Sequence, residues 1–356
     1  MNARDSLLKM LIPFYSRLED KLYGGFYGRV DSNLNIYKRA SRSMIQTARM
    51  LWFFATVSKR LDQPDLFEKA DCAYAFLTEH GRDTAHGGLY WATSYSGLDI
   101  EDETKNALCQ ATGILAYVAY GKGRALDFAR DLFDLLESRF FEGCGYAESF
   151  NEDYTAKLTK NHFMATLLHI IESYTVLLQT TGDQKVRKAL IRNLEILETS
   201  FYSPSTASLM EMHDQSGACI TTQTLYGHEM ECVHLVGKAC EVLGLPRPAY
   251  LDELLASALE AGFQDGWLAY SERKKEAVHW VQAHAVVAIL YSYRKTNDPR
   301  FLDKANAIIN YIESHIVMHV PGGEWFYDDT KLSKDVVSVW KGPYNNTSMY
   351  LEMMEE

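Results

Sequence analysis

The chain has 356 residues, 47% of them hydrophobic and 23% charged. That balance supports a sizeable core and excludes disorder over most of the length. Thirty-six Lys and Arg against 47 Asp and Glu leave a net charge of −11, which excludes the clustered cation that a nucleic acid or an anionic membrane surface would need.

From the N-terminus, residues Met1 to Met10 lack the continuous apolar core of a signal peptide. The longest apolar run, Met50 to Val57, is too short to span a bilayer, so a cytoplasmic protein is expected. Cys72, Cys109, Cys144, Cys219, Cys232 and Cys240 form no CxxC pair and read as reduced, mostly buried thiols. With only 8 prolines, long and seldom-broken helices are expected.

A glycine–aromatic signal recurs along the chain. It stands at Gly24-Gly25-Phe26-Tyr27, Gly87-Gly88-Leu89-Tyr90, Gly143-Cys144-Gly145-Tyr146, Asp265-Gly266-Trp267-Leu268-Ala269-Tyr270 and Gly322-Gly323-Glu324-Trp325-Phe326-Tyr327. The starts lie roughly 55 to 65 residues apart, with one double gap that a degenerate copy near Phe201 to Met212 would fill. Glycine suits a tight turn with positive φ, and the aromatic after it folds back as a short strand or plug.

Between the signals the apolar spacing is helical. Met44, Ala48, Leu51, Trp52 and Ala55 recur at three and four, as do Leu167, Ile170, Ile171, Tyr174 and Leu178. Val233, Val236, Cys240 and Leu243 repeat the pattern, followed by Val286, Ile289, Leu290 and Tyr293. A short polar break and a second helix follow each, for example Pro64 to Phe76, Asp183 to Thr199 and Asp298 to Ile312. The fold class is therefore all-α. Six helical hairpins cover residues 1–356 as one domain, and the expected closed form is an (α/α)6 barrel, a toroid.

The more apolar helix of each pair belongs to an inner layer, yet its first turn is polar. Arg42 and Arg49, Asp102 and Lys105, Asn161 and His162, His228 and Glu231, His279 and Gln282, and Lys341 and Asn345 mark those starts. In a toroid they meet at one cavity mouth. His228 and Glu231, three apart, share a helix face, where the carboxylate can orient the imidazole or raise its basicity for acid–base work. A capping histidine with a solvated carboxylate is the plainer alternative. His228 and His234 are six apart, the wrong spacing for the zinc pair of an HExxH helix. No metal or cofactor is expected. Trp280 and His284 face together at spacing four, which also suits core packing, and His169 lies among apolar neighbours as a core histidine would. Trp340-Lys341-Gly342-Pro343-Tyr344-Asn345 supplies a sharp turn, an aromatic plate and an amide. No phosphate-binding loop or Ser-centred elbow occurs.

Several stretches, in order along nearly the whole chain, resemble the N-acylglucosamine 2-epimerase superfamily, and within it the cellobiose 2-epimerase branch. They are Gly24 to Tyr27, Ala48 to Trp52, His169 to Tyr174, Tyr226 to Glu231, Trp280 to Ala283 and Trp340 to Tyr344. The resemblance implies an (α/α)6 barrel and a metal-free site acting at C2 of a reducing sugar through a cis-enediol. Return of the proton to C2 from the opposite face gives an epimer, and delivery to C1 gives a ketose. The resemblance puts Arg49 on sugar hydroxyls, His169 near O1 or O2, His228 as an acid/base supported by Glu231, and Trp280, Trp340 and Tyr344 around the sugar. The expected partner is a small mono- or disaccharide, and the chain a monomer or homodimer.

Four positions depart from the family pattern. Its C-terminal motif ends Pro-Tyr-His, the second acid/base, where this chain has Asn345. Leu108 replaces a ligand-binding tyrosine, Ala165 an asparagine, and His284 a glutamate. Three readings follow: an epimerase or isomerase in which His284 supplies the missing acid/base, a single-base aldose–ketose isomerase using His228, or a catalytically silent sugar-binding protein. A glycoside hydrolase using Glu231 with Asp102 or Glu148 is a fourth, although the histidines suit proton transfer better.

Overall fold

Each glycine–aromatic signal closes a short antiparallel hairpin. The paired residues are Glu19 with Phe26, Arg82 with Leu89, Phe141 with Tyr146, Tyr202 with Leu209, Phe263 with Leu268 and Val317 with Trp325. In the fourth copy Ala207 takes the left-handed conformation at φ 44°, so the turn persists after the glycine is gone. The computed structural model describes residues 2–331 and 334–355.

Ahead of each hairpin lies an outer helix: α1 (residues 3–16), α3 (Phe67–Glu79), α5 (Ala125–Leu135), α7 (Gln184–Ile196), α9 (Tyr250–Gly262) and α11 (Pro299–Tyr311). After the hairpins and their loops come the inner helices: α2 (Met44–Arg60), α4 (Ala107–Tyr120), α6 (Met164–Thr181), α8 (Tyr226–Leu243), α10 (His279–Thr296) and α12 (Tyr344–Glu352). An outer helix such as α5 buries one stripe, Ala125, Phe128, Ala129, Leu132 and Phe133, at the spacing of a single face. Inner helices such as α4 are buried nearly all round. Gly121, Gly182 and Gly244 end α4, α6 and α8 in the left-handed conformation, which turns the chain from the inner layer to the outer in a few residues.

The inner helices close a ring, each touching the next from α2 through α12 and α12 touching α2 again. Five hairpins are contiguous in sequence. The sixth is made by the two ends of the chain, with α1 packed against α12. Glu324, fully buried, ties this seam by accepting hydrogen bonds from Tyr15 at 3.1 Å, Lys341 and Asn346.

Half of the polar helix starts act as internal bolts and do not face the mouth. Arg42 pairs with Asp20, Lys105 with Asp83 at 2.8 Å, His162 with Glu142 at 2.9 Å, and Lys341 with Glu324. Each links the approach to an inner helix to the hairpin immediately before it in the chain. The side-chain amide of Gln282 holds both backbone groups of Leu268 at 2.8 and 2.6 Å, and that of Gln110 does the same for Leu89 at 2.7 and 3.0 Å. These groups leave water but keep their hydrogen bonds, the condition for burying them without a large penalty. Among the described residues no helix is long and apolar enough to cross a membrane. All six cysteines are free, with Cys109, Cys232 and Cys240 buried and Cys219 exposed.

Candidate active site

Five of the polar starts, Arg49, His228, Glu231, His279 and Asn345, converge on a cavity of about 340 Å³, which Asp102 and Asn161 do not line. Arg49 enters from α2, Leu108 from α4, Ala165, Thr166 and His169 from α6, His228 and Glu231 from α8, His279 and Trp280 from α10, and Asn345 from α12. Glu148, Phe163, Tyr327 and Trp340 come from the loops. Trp340 is 53% exposed and forms a rim plate against Trp91, with ring centroids 5.6 Å apart.

His228 does not hydrogen-bond to Glu231, as its spacing had led us to expect. Its Nδ1 lies 2.7 Å from Oε2 of Glu211, a loop residue 17 positions earlier. The pairing fixes the tautomer, so Nε2 is the nitrogen free for chemistry. Burial works against an imidazolium here, but Glu211, then Glu231 and Glu229, outweigh it and raise the pKa to about 9. Gly227 makes the neighbouring space: a Cβ there would overlap the Trp280 ring, which sits with its centroid 5.1 Å from that of His228.

Glu231 serves a different pair. Its Oε1 lies 2.9 Å from Nε2 of His284 and 4.0 Å from Nε2 of His169. Burial would raise this carboxyl, but His284 first, then His169 and His228, hold it well below the usual carboxylate range. The same His284 Nε2–H is shared with Oδ1 of Asn345 at 3.0 Å, while its Nδ1 is buried without a partner. His284 is 3% exposed and stands behind Asn345 and Glu231, not among the cavity walls. Burial opposes its charge, yet Glu231 and Asn345 raise its pKa. His284, expected as a second acid/base, thus stands one layer behind the cavity wall with its Nε2 on Glu231 and Asn345.

His169, expected from its apolar flanks to be a core residue, does line the cavity. Its Nδ1 meets Glu172 Oε2 at 3.0 Å, which turns Nε2 toward Glu231. The hydroxyl of Tyr344 donates to the other oxygen of Glu172. Tyr344 is buried beneath Arg49, whose guanidinium lies 5.3 Å from the ring centroid, so it backs the site and does not touch its contents. Arg49 donates to the Trp340 carbonyl at 3.2 Å. His279, one of the polar helix starts expected at the mouth, has Nδ1 on the Tyr327 carbonyl at 2.9 Å and Nε2 buried without a partner. Burial, aided by Lys341, pushes its pKa well down. It is thus a neutral imidazole offering a lone pair beside the cavity.

The chemistry these groups permit is specific. Two imidazoles, His228 and His169, each backed by its own carboxylate, reach the cavity together with a guanidinium, an amide and two indole faces. Groups of this kind can take up and release protons near neutral pH.

The N-acylglucosamine 2-epimerase (GlcNAc 2-epimerase) family matches residues 25–350. A cellobiose 2-epimerase of Ruminococcus albus is 31% identical over 99% of this chain and 97% of its own, and one of Dictyoglomus turgidum is 28% identical over 99% and 97%. The solved cellobiose 2-epimerase of Bacillus thermoamylovorans B4167 superposes with a TM-score of 0.94 at 28% identity, covering 99% of this chain and 97% of that one. A D-mannose isomerase structure shares the fold, with a TM-score of 0.86 at 17% identity over 99% and 96%. The chain belongs to the N-acylglucosamine 2-epimerase family, with a helical barrel like that of the cellobiose 2-epimerases.

Proposed function

We propose that the protein is an aldose–ketose isomerase acting on a reducing sugar, with His228 as the single base that moves the proton between C2 and C1. One observation carries this reading. Asn345 presents an amide to the cavity, and an amide exchanges no proton near neutral pH. The imidazole behind it, His284, is committed through its one inward nitrogen to Glu231 and Asn345.

Once the ring is open, neutral His228 takes the proton from C2 and leaves a cis-enediol. The imidazolium, stabilised by Glu211 2.7 Å away, returns that proton to C1 on the same face, and the aldose becomes a ketose. His169 moves the accompanying proton between O2 and O1, steadied by Glu172. Arg49 holds hydroxyls, Glu231 orients the end of the sugar between His169 and His228, and Trp280 and Trp340 flank it. A general base in this position contributes on the order of 10²–10⁴ in rate.

The similarity to cellobiose 2-epimerases favours a second reading, C2 epimerisation. His169 would then supply the proton from the opposite face, since it has the same histidine–carboxylate backing as His228. Proton NMR in D2O with cellobiose, mannobiose, mannose, glucose, fructose and N-acetylglucosamine separates the two. Loss of the C2–H signal with a new ketose is the expected result. A C2 epimer without ketose would overturn the single-base mechanism in favour of two bases. Saturable binding with no exchange for any sugar would make the chain a sugar-binding protein.

A further inference from the structure

The repeat places one residue of each loop in the same role. Trp91, Glu148, Glu211, Tyr270 and Tyr327 each accept, through the backbone carbonyl, the first N–H of an inner helix, at 2.9, 2.9, 3.0, 3.3 and 3.0 Å. Glu148 and Glu211 are thus equivalent positions of successive repeats. Glu211 gives its Oε2 to the third residue of α8, His228, and keeps an Oε1 that is buried without a partner. The third residue of α6 is Thr166, so Glu148 meets a hydroxyl where its counterpart meets an imidazole. Its Oε1 is buried with no hydrogen-bond partner, although the residue lines the cavity. A buried polar atom left in that state is costly unless something arrives to satisfy it.

Deepening the sugar-isomerase reading, on which this inference rests, we propose that Glu148 is a specificity-determining residue. Its carboxyl reads a neutral hydroxyl of the non-reacting part of the sugar, laid against Leu108, Phe163 and Ala165, and rejects a carboxylate at that place. The side chains beside it are apolar, and the cations of the cavity, Arg49 and His228, enter from other helices, α2 and α8. The titratable groups that share the cavity are Arg49 from α2, His169 from α6, His228 and Glu231 from α8, and His279 from α10, with Tyr327 from the loop. Burial raises the Glu148 pKa to about 7, offset only in part by Thr166. A sugar that displaces the remaining water favours the acid form further, so by linkage affinity for neutral sugars falls as pH rises through 7.

The test measures binding by quenching of the cavity tryptophans, separately from turnover. Glucose is compared with glucuronate and mannose with mannuronate, between pH 5.5 and 8.5. The wild type is expected to bind each neutral sugar about tenfold more tightly than its acid, and its affinity for the neutral sugar should weaken above pH 7. Glu148→Ala should weaken neutral-sugar binding about tenfold. Glu148→Gln, neutral at every pH, should recover most of that affinity and lose the pH dependence. Circular dichroism melting shows whether each variant is folded. Unchanged affinity in a folded Glu148→Ala, an unchanged neutral-to-acid ratio in Glu148→Gln, or no binding of either neutral sugar to the wild type would overturn the proposal. Binding that follows this pattern without C2–H exchange would leave Glu148's role standing and remove the isomerase reading instead.

Discussion

Replacing Glu211 by Gln keeps the shape of the His228 pair and removes its charge. A rise in the His228 pKa from the ordinary 6.5 to about 9 corresponds to about 3 kcal/mol of preference for the imidazolium in the folded protein. Because the folded pKa is the higher one, this stabilisation is fully present below pH 6.5 and fades as pH climbs to 9. Urea unfolding should therefore show Glu211→Gln less stable by about 2–3 kcal/mol at pH 6, and nearly equal to wild type at pH 9.5. The His228 ring proton, followed by NMR, should titrate about two pH units lower in the variant. Catalysis should follow the same group. With a pKa near 9, about one His228 in a hundred is neutral at pH 7, so kcat/KM of the wild type should rise about tenfold per pH unit up to pH 7, more shallowly above it as Glu148 ionises, and level near pH 9. In the variant that limb moves toward acid and the plateau drops. An equal stability loss at both pH values, or an unmoved histidine titration, would refute the assignment of Glu211 as the source of the shift.

His284→Ala leaves the Glu231 carboxylate buried without its closest hydrogen-bond partner, which should cost about 1–3 kcal/mol in chemical unfolding. On the single-base proposal, residual C2–H exchange should keep the wild-type pH limb; loss of that limb would make His284 the second acid/base. The double change Asn345→His with His284→Glu moves an imidazole to the cavity wall and a carboxylate behind it. Its products, separated by chromatography, should shift from ketose toward the C2 epimer. Gly227→Ala should drive Trp280 from its seat beside His228, costing about 1–3 kcal/mol in thermal unfolding and raising KM more than it lowers kcat; an unchanged KM would show that Trp280 bears no contact with the sugar.

The six-part ring could be read from the sequence because each repeat carries two independent marks, the helical spacing and the glycine–aromatic turn. The fourth turn was nearly invisible because Ala207 adopts a conformation usually left to glycine. What periodicity could not reveal was which helices pair across the ring, so the partnership of α1 with α12 had no signal. Of the cavity residues, those on inner helices were legible from position alone. Glu211 was missed because it lies on a loop, where spacing says nothing about direction. Its only sequence clue was its offset from the hairpin, which it shares with Glu148, Tyr270 and Tyr327. The helical face shared by His228 and Glu231 was real, but both side chains found stronger partners elsewhere: a loop carboxylate for one and the His284 imidazole for the other. Lys105 and Lys341 looked like mouth residues until burial turned them inward on Asp83 and Glu324.

The seam between α1 and α12 works as a clasp. Tyr15 and Glu324 are 309 residues apart along the chain, and contacts of that span form late, since loop-closure entropy must be met before they contribute. Trp340 and Asn345, which line the cavity, and the Tyr344 beneath Arg49 lie on the C-terminal side of this seam. The cavity is consequently complete only when the clasp is shut, even if five hairpins are already in place. A chain still being synthesised holds His169 and His228 but lacks a wall to confine a sugar between them. Any fluctuation that springs the seam would open the cavity sideways before it disturbed the helices that carry those histidines.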